Sequence, residues 1–304
     1  MSNSILKYSN RTVSIYWIAA LLIIGLTSCS KKVVYTAPPS ILQEQVSGLS
    51  DEKQIAYQFV TTSKNDDKIL DTFLSESFVS HDQDWEGAKA NFITKRNSDA
   101  SFNQMKPVRI IQDDSLVAVH SRMLGDTLRF RWDILHIEQQ KILEHWSNVN
   151  DSIGLNPDGH SEIDGPTIPR HLEKTDTNRA HIARFIDQCM IREDGGAAKF
   201  FDFGLYVQHN RDVGDGLMGL VWGMIKMKRQ GKVIKFKHNY QVIAEGNLVL
   251  SATEGYIGDE QFTFFDLFRI EDHKIVEHWD IIAPINQFLY YQPDEKLQKL
   301  QINK

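Results

Sequence analysis

Five side chains in the second half of the sequence have the types and spacing for proton transfer: His209 and Asn210, then Asp266, His278 and Asp280. In a strand, every second residue shares a face. That rule groups Phe262, Phe264, Asp266, Phe268 and Ile270 in one run, and Val276, His278, Asp280 and Ile282 in the next. Carboxyl groups among apolar neighbours are costly to ionise, and burial raises their pKa toward that of a useful acid or base. The chemistry this permits is proton abstraction beside a carbonyl. Asp280 would be the base, His278 or His209 the donor to the enolate oxygen, Asp266 the group orienting a histidine, and Asn210 a contact to the carbonyl. A structural role is open to the same residues, since an inward Asp266–His278 pair can simply brace a sheet. Sets of two His and one carboxylate also bind iron. No HxH or HExxH spacing accompanies them here, so the expected site has neither metal nor cofactor.

The set is written twice. His81-Asp82 precedes His209-Asn210 by 128 residues, and Asp133 and His145 precede Asp266 and His278 by 133. The surrounding blocks recur with them: Phe78-Val79-Ser80-His81-Asp82 as Tyr206-Val207-Gln208-His209-Asn210, and Lys141-Ile142-Leu143-Glu144-His145-Trp146 as Lys274-Ile275-Val276-Glu277-His278-Trp279. A repeat this long means two copies of one domain and not a solenoid. The copies differ where chemistry would be decided. Ser147 stands where Asp280 stands, and His120 is added on another strand. Arg129 and Arg131 share a face with Asp133, which allows a plain ion pair. Candidate binding residues are therefore His81, His120, Asp133 and His145 in copy one, with His209 and Asn210 in copy two. Copy two, which alone has a carboxylate at position 280, is the expected active one.

The elements that must position these groups follow from periodicity. Copy one, residues 51–150, opens with a helix pair marked by Ile55, Phe59, Ile69, Leu70 and Phe73. A helix over Trp85–Arg96 follows, then strands at Val108–Ile111, Leu116–Arg122, Leu128–Glu138 and Lys141–Val149. Copy two, residues 173–290, repeats the order with helical segments at Thr177–Arg192, Ala197–Phe203 and Leu217–Arg229. Its strands are expected at Val233–Glu245, Leu248–Ile257, Gln261–Glu271 and Lys274–Ile282. Turn residues fill a linker over 151–172, and 291–304 form a C-terminal tail. Helices followed by antiparallel strands make an α+β fold.

Both copies resemble the SnoaL-like polyketide cyclase branch of the nuclear-transport-factor-2-like superfamily. The resemblance rests on Tyr206–Asn210, Asp266-Leu267-Phe268-Arg269 and Lys274–Asp280, with Asp164-Gly165-Pro166-Thr167 similar to stretches that follow the last motif in relatives. It covers nearly all of residues 51–285. It implies two tandem cone-shaped, curved antiparallel sheets, each closed by three helices around a pocket for a small apolar or carbonyl ligand. It also implies packing of the copies as an intramolecular pseudo-dimer, because single-copy relatives commonly dimerise through the sheet. SnoaL-type cyclases use a pocket Asp as general acid/base for an aldol closure without cofactor, and Asp280 or Asp266 matches it. Ser147 departs from that pattern in copy one.

The N-terminus has a different task. Lys7 and Arg11 flank an apolar run, Ile15–Leu26, that is short for a membrane span and ends in Leu26-Thr27-Ser28-Cys29. This resembles the lipobox of bacterial lipoproteins. It implies a signal peptide over residues 1–28, acylation of Cys29, a tether over 29–50, and a fold held on the cell envelope outside the cytoplasm. The net charge of −6, without a basic block, argues against a nucleic-acid partner. Cys189, the other of the two cysteines, is expected to pack as a small core residue.

Overall fold

The computed structural model describes residues 40–285 apart from 42, 83, 100–103, 126 and 153. The expected signal peptide over 1–28, Cys29, most of the expected tether and the expected tail over 291–304 lie outside the described residues. The chain joins the fold earlier than the expected tether boundary at 50: the Ile41 amide donates to the Pro107 carbonyl at 2.8 Å, and Val46 is buried in the core. No described helix is long and apolar enough to cross a membrane.

The architecture is mixed α+β with two separate sheets. In the first half, helices α1 (Asp51–Thr61), α2 (Asp67–Phe73) and α3 (Lys89–Ser98) accompany strands β1 (Leu74–Ser80), β2 (Gly87–Ala88), β3 (Gln104–Asp113), β4 (Leu116–Leu124), β5 (Arg129–Glu138) and β6 (Lys141–Asp151). The sheet order is β2-β1-β6-β5-β4-β3. In the second half, α4 (Thr175–Phe185) continues as a wider helical turn over Ile186–Ile191. It precedes β7 (Val207–Gln208), α5 (Gly216–Arg229), β8 (Ile234–Glu245), β9 (Leu248–Ile257), β10 (Glu260–Glu271) and β11 (Lys274–Pro284), in the order β7-β11-β10-β9-β8. Ser50 starts α1 by accepting from the Lys53 amide, and Asp51 and Glu52 sit in its first turn, where negative charge suits the helix dipole. The β5–β6 and β10–β11 turns both use two left-handed non-glycine residues, Gln139-Gln140 and Asp272-His273, as two-residue hairpin turns require.

Strict alternation puts Val276 on the face of His278 and Asp280, with Ile275 opposite. A bulge breaks the rule. Ile270 pairs with Ile275 and Arg269 with Glu277, leaving Val276 as the extra residue. Ile275 therefore packs in the helix-side core with Phe268 and Ile270, while Trp279 and Ile281 turn to the other sheet. The first half has the same bulge at Leu143, between Ile142 and Glu144.

The faces turned away from the helices pack against each other. Val108, Ile111, Phe130, Trp132, Ile134 and Trp146 of the first sheet form one buried cluster with Ile243, Leu250, Phe265, Leu267, Trp279 and Ile281 of the second. Polar pairs frame it. Arg179 holds Asp113 through two bonds of 2.6 and 2.7 Å, Lys53 meets Glu245 at 2.6 Å, and the Asn148 amide donates to the Ile281 carbonyl at 2.7 Å. The linker lies across this seam. Arg109 donates to the carbonyls of Ile163 (2.9 Å), Asp164 and Pro166 (2.7 Å), and Trp279 Nε1 donates to the Asp164 carbonyl at 2.8 Å. Gly165 has φ +90°, and a Cβ there would stand 2.7 Å from Glu277 Oε1 and 2.8 Å from the Trp279 ring. Gly165→Ala is expected to destabilise by about 2 kcal/mol or more, from left-handed strain plus the forced shift of Trp279. A urea melt checks this, and an unchanged midpoint would contradict the packing described.

Candidate active site

Register brings the second-half groups together. Asp266 on β10 pairs across the ladder with Asp280 on β11, and Phe268 pairs with His278. One donor atom from each of Asp266, His278 and Asp280 lies within 4.8 Å of the others. His278 Nε2 is 3.1 Å from Asp266 Oδ1, and its Nδ1 is 3.1 Å from Gln208 Oε1. The backbone amides of His209 and Asn210 also donate to Gln208 Oε1, at 2.8 and 2.9 Å, which fixes that atom as the oxygen. His278 must therefore donate from Nδ1. Its Nε2 lies against the Asp266 carboxyl.

Asn210 Nδ2 donates to both oxygens of Asp280, at 2.9 and 2.7 Å. Burial raises the Asp280 pKa; the positive side of His278 and the Asn210 bond oppose this, and the Asp266 charge adds to it. Gln208 Nε2 donates to the Tyr206 hydroxyl at 2.8 Å. Burial and the charges of Asp280 and Asp266 push that phenol well above its ordinary value, so it keeps its proton. A third carboxyl arrives from the linker. Glu162 is 2 % exposed, takes a bond of 3.3 Å from Asn150, and is pushed up to about 7 by burial and by the Asp280 charge. Asp266 Oδ2 and Glu162 Oε2 are buried with no hydrogen-bond partner among the described residues.

The first half closes the equivalent cluster on itself. His145 Nε2 meets Asp133 Oδ1 at 2.8 Å, and Ser80 stands at His145 Nδ1 at 3.0 Å, in the place of Gln208. Arg131 donates to Asp133 Oδ1 at 2.8 Å and also to Asp82, and its guanidinium lies 4.2 Å from the centre of the Trp85 ring. Ser147 donates to Asp82, and the amides of Asp84 and Trp85 donate to its other oxygen. Burial alone would raise Asp82, but the charges of Arg131 and His145 with the Ser147 bond hold it well below the usual carboxylate range. Asp133, His145 and Arg131 are all at most 1 % exposed. This is a sealed ion-pair network, the plain reading of the Arg131–Asp133 parity.

Three residues grouped with the site by sequence stand elsewhere. His209 is on the opposite side of its strand from Gln208. It stacks on Trp279 (4.5 Å, 12°), with Nε2 at 2.9 Å from Glu277 and Nδ1 at 2.7 Å from Asp164. Burial opposes its protonation, but the two carboxylates outweigh it and raise its pKa. His81 repeats this arrangement, stacked on Trp146 and 3.3 Å from Glu144. His120 faces the seam between the sheets, stacked on Trp132 at 4.4 Å and accepting from Arg109 at 3.1 Å. The reason is alternation in the short strands β1 and β7: Ser80 and Gln208 face inward, so the next residues, His81 and His209, cannot. Gln208, Tyr206 and Glu162 were missed. The register Gln208–His278 carried the signal for the first, whereas nothing in the spacing brings Glu162 back from the linker. His160, Asp164 and His209 form a second group with one ligand atom each within 4.8 Å, where the carboxylates of Asp164 and Glu277 raise the His209 pKa.

Glu162 gives a pH test. Its raised pKa means stability present below the ordinary carboxylate pKa and lost as pH rises toward 7. Glu162→Gln is expected to remove that loss, gaining on the order of 2–3 kcal/mol relative to the parent at pH 8 and little at pH 4.5. Denaturant melts at the two pH values read it, and equal differences at both would contradict it.

No family model matches the chain, and no curated protein matches it. Solved structures similar to it include a provisionally assigned ketosteroid isomerase from Kribbella flavida, with 13 % identity over 40 % of this chain and 94 % of that one, at a TM-score of 0.31. A steroid delta-isomerase from Pseudomonas aeruginosa shows 16 % identity over 41 % and 90 %, at 0.29. An LEH-like epoxide hydrolase from M. tuberculosis shows 20 % identity over 36 % and 85 %, at 0.28. Each of the three spans most of its own length and less than half of this chain, and at these scores the likeness carries no argument about activity.

Proposed function

We propose that this is a tandem SnoaL-like protein whose second half is a cofactor-independent acid–base catalyst for a small enolisable carbonyl compound, in an aldol, cyclase or isomerase type of reaction. The observation that carries the reading is the convergence of Asp280, Asp266 and His278 in one buried cluster, with the His278 tautomer set by Gln208. Asp280, its pKa raised toward neutrality, removes a proton from the carbon beside the carbonyl. The electron pair moves to the carbonyl oxygen, which takes a hydrogen bond from the Asp266–His278 pair. Asp280 then returns its proton to carbon, or to the alkoxide formed in an aldol step. The test needs no known substrate: a panel of ketones and β-keto esters in D2O, with deuterium uptake at the α-carbon followed by NMR. Acceleration by the protein supports the reading, and no acceleration for any compound that measurably binds overturns it.

A binding role without turnover is the second reading. It is favoured by the half-buried Phe236 and Phe262 and the exposed Met218 and Trp222 of α5, an apolar surface suited to a ligand or protein partner. In either case we read the two halves as an intramolecular pseudo-dimer and Cys29 as the lipid anchor to the cell envelope. Cys29→Ser is expected to leave an unprocessed precursor that takes up no labelled fatty acid, and normal labelling would rule the anchor out.

A further inference from the structure

The duplication allows one half to be compared with the other, position by position. Arg131 and Phe264 occupy the same place: each precedes the site aspartate by two residues on the same face of its strand, Arg131 before Asp133 and Phe264 before Asp266. In the first half the carboxylates of Asp133 and Asp82 are neutralised by the Arg131 guanidinium. In the second half the acids are, if anything, more numerous. Asp266 persists, Asp280 replaces Ser147, and Glu162 comes in from the linker, while Asp82 becomes Asn210. The internal cation is gone. Arg211, which acts on both Asp280 and Glu162, is exposed and lies 3.5 Å from Asp212. Asp266 Oδ2 and Glu162 Oε2, on residues 4 % and 2 % exposed, have no partner among the described residues, and neither has Asp133 Oδ2, so what separates the halves is the missing arginine. His278 still pairs with Asp266, but no buried arginine or lysine bonds Asp280 or Glu162 among the described residues, and a cation from solution relieves buried carboxylates as a covalent one does.

We propose that the second-half site binds a ligand bearing an organic cation, a guanidinium or ammonium group, seated between Asp266 and Asp280 beside the Phe264 that replaces the first half's arginine. This deepens the reading above by naming a substituent of the ligand of the same site. It rests on that reading only for turnover and not for binding. Asp266, His278 and Asp280 offer one ligand atom each within 4.8 Å, a spacing that a metal ion also fits. An organic cation is favoured by the neighbouring rings. The walls are aromatic: Phe264 packs against Phe236 (4.9 Å) and Phe262 (6.4 Å), a surface that suits a flat or alkylated cation. The charged and titratable groups that act on the seat are Asp266 on β10, His278 and Asp280 on β11, Tyr206 beside β7, and Glu162, Arg211 and Asp215 from the loops. Glu162, pushed up to about 7, carries a proton below that pH and a negative charge above it, so a cation binds more tightly as pH rises.

The experiment is calorimetric titration of the full chain in detergent with butylguanidinium chloride, against butylurea as the neutral planar counterpart and manganese(II) chloride as the inorganic cation. The expected result is one butylguanidinium per chain, at least tenfold weaker binding at pH 5.5 than at pH 8, and no heat with butylurea. Asp266→Asn should remove binding. Phe264→Arg should do the same by supplying the guanidinium internally, with circular dichroism confirming its fold. The butylurea comparison needs no variant and stands if either substitution fails to fold. Butylurea binding as tightly as butylguanidinium, no butylguanidinium binding at pH 8, or a manganese site that butylguanidinium does not displace would each overturn the proposal. Deuterium exchange measured on the same preparation separates a failure of this inference from a failure of the acid–base reading.

Discussion

Arg131→Leu is expected to destabilise the protein by about 3–5 kcal/mol, the range for removing one partner of a buried ion pair. The guanidinium is the only buried positive charge hydrogen-bonded to both Asp82 and Asp133 among the described residues, and both carboxylates are at most 1 % exposed. The pH dependence should also change sign. In the parent, Asp82 has a depressed pKa, so its stabilising contribution is present above the ordinary carboxylate value of about 3.8 and lost as pH falls below it. Without Arg131, burial dominates and the carboxyls prefer the proton, so the variant should be less stable at pH 8 than at pH 5. Combining Arg131→Phe with Asp82→Asn, which copies the second half, should recover much of the loss. Urea melts at both pH values decide it, and a loss under about 1 kcal/mol would mean that the network is wetter than described.

Asp280→Asn should lower α-proton exchange by about a hundredfold or more, the usual weight of a general base. The substitution keeps the size of the side chain and a group that Asn210 can still bond, so folding should be little changed. Ser147→Ala, at the equivalent place in the first half, should leave exchange unaltered, because Ser147 donates only to the sealed Asp82. Full exchange by Asp280→Asn would move the base to Asp266 or Glu162.

The strands were legible because their patterning is local: β9 runs over Leu248–Ile257 between turn residues, and β11 begins at Lys274. Asp266, His278 and Asp280 were brought together by the same rule, since each lies on a strand long enough for parity to be read. The rule failed over two residues. β7 is too short for alternation to reveal that Gln208 faces inward and His209 outward, and the bulge at Val276 reverses the parity of Ile275. Glu162 was out of reach for a different reason. Its position depends on the clasp of the linker by Arg109 and Trp279, a contact between segments with no common period.

That clasp bears on where this protein can be divided. Residues 151–172 read as a spacer, yet carbonyls within them complete the bonding of an arginine from the first sheet and a tryptophan from the second. Neither half, cut at the spacer, would retain all its buried partners, and residues 40–285 should melt as one cooperative unit with a single transition. In such an indivisible chain the two copies are released from identity. One can harden into a scaffold with its charges paired internally, while the other keeps charges unpaired and open to something that arrives from outside.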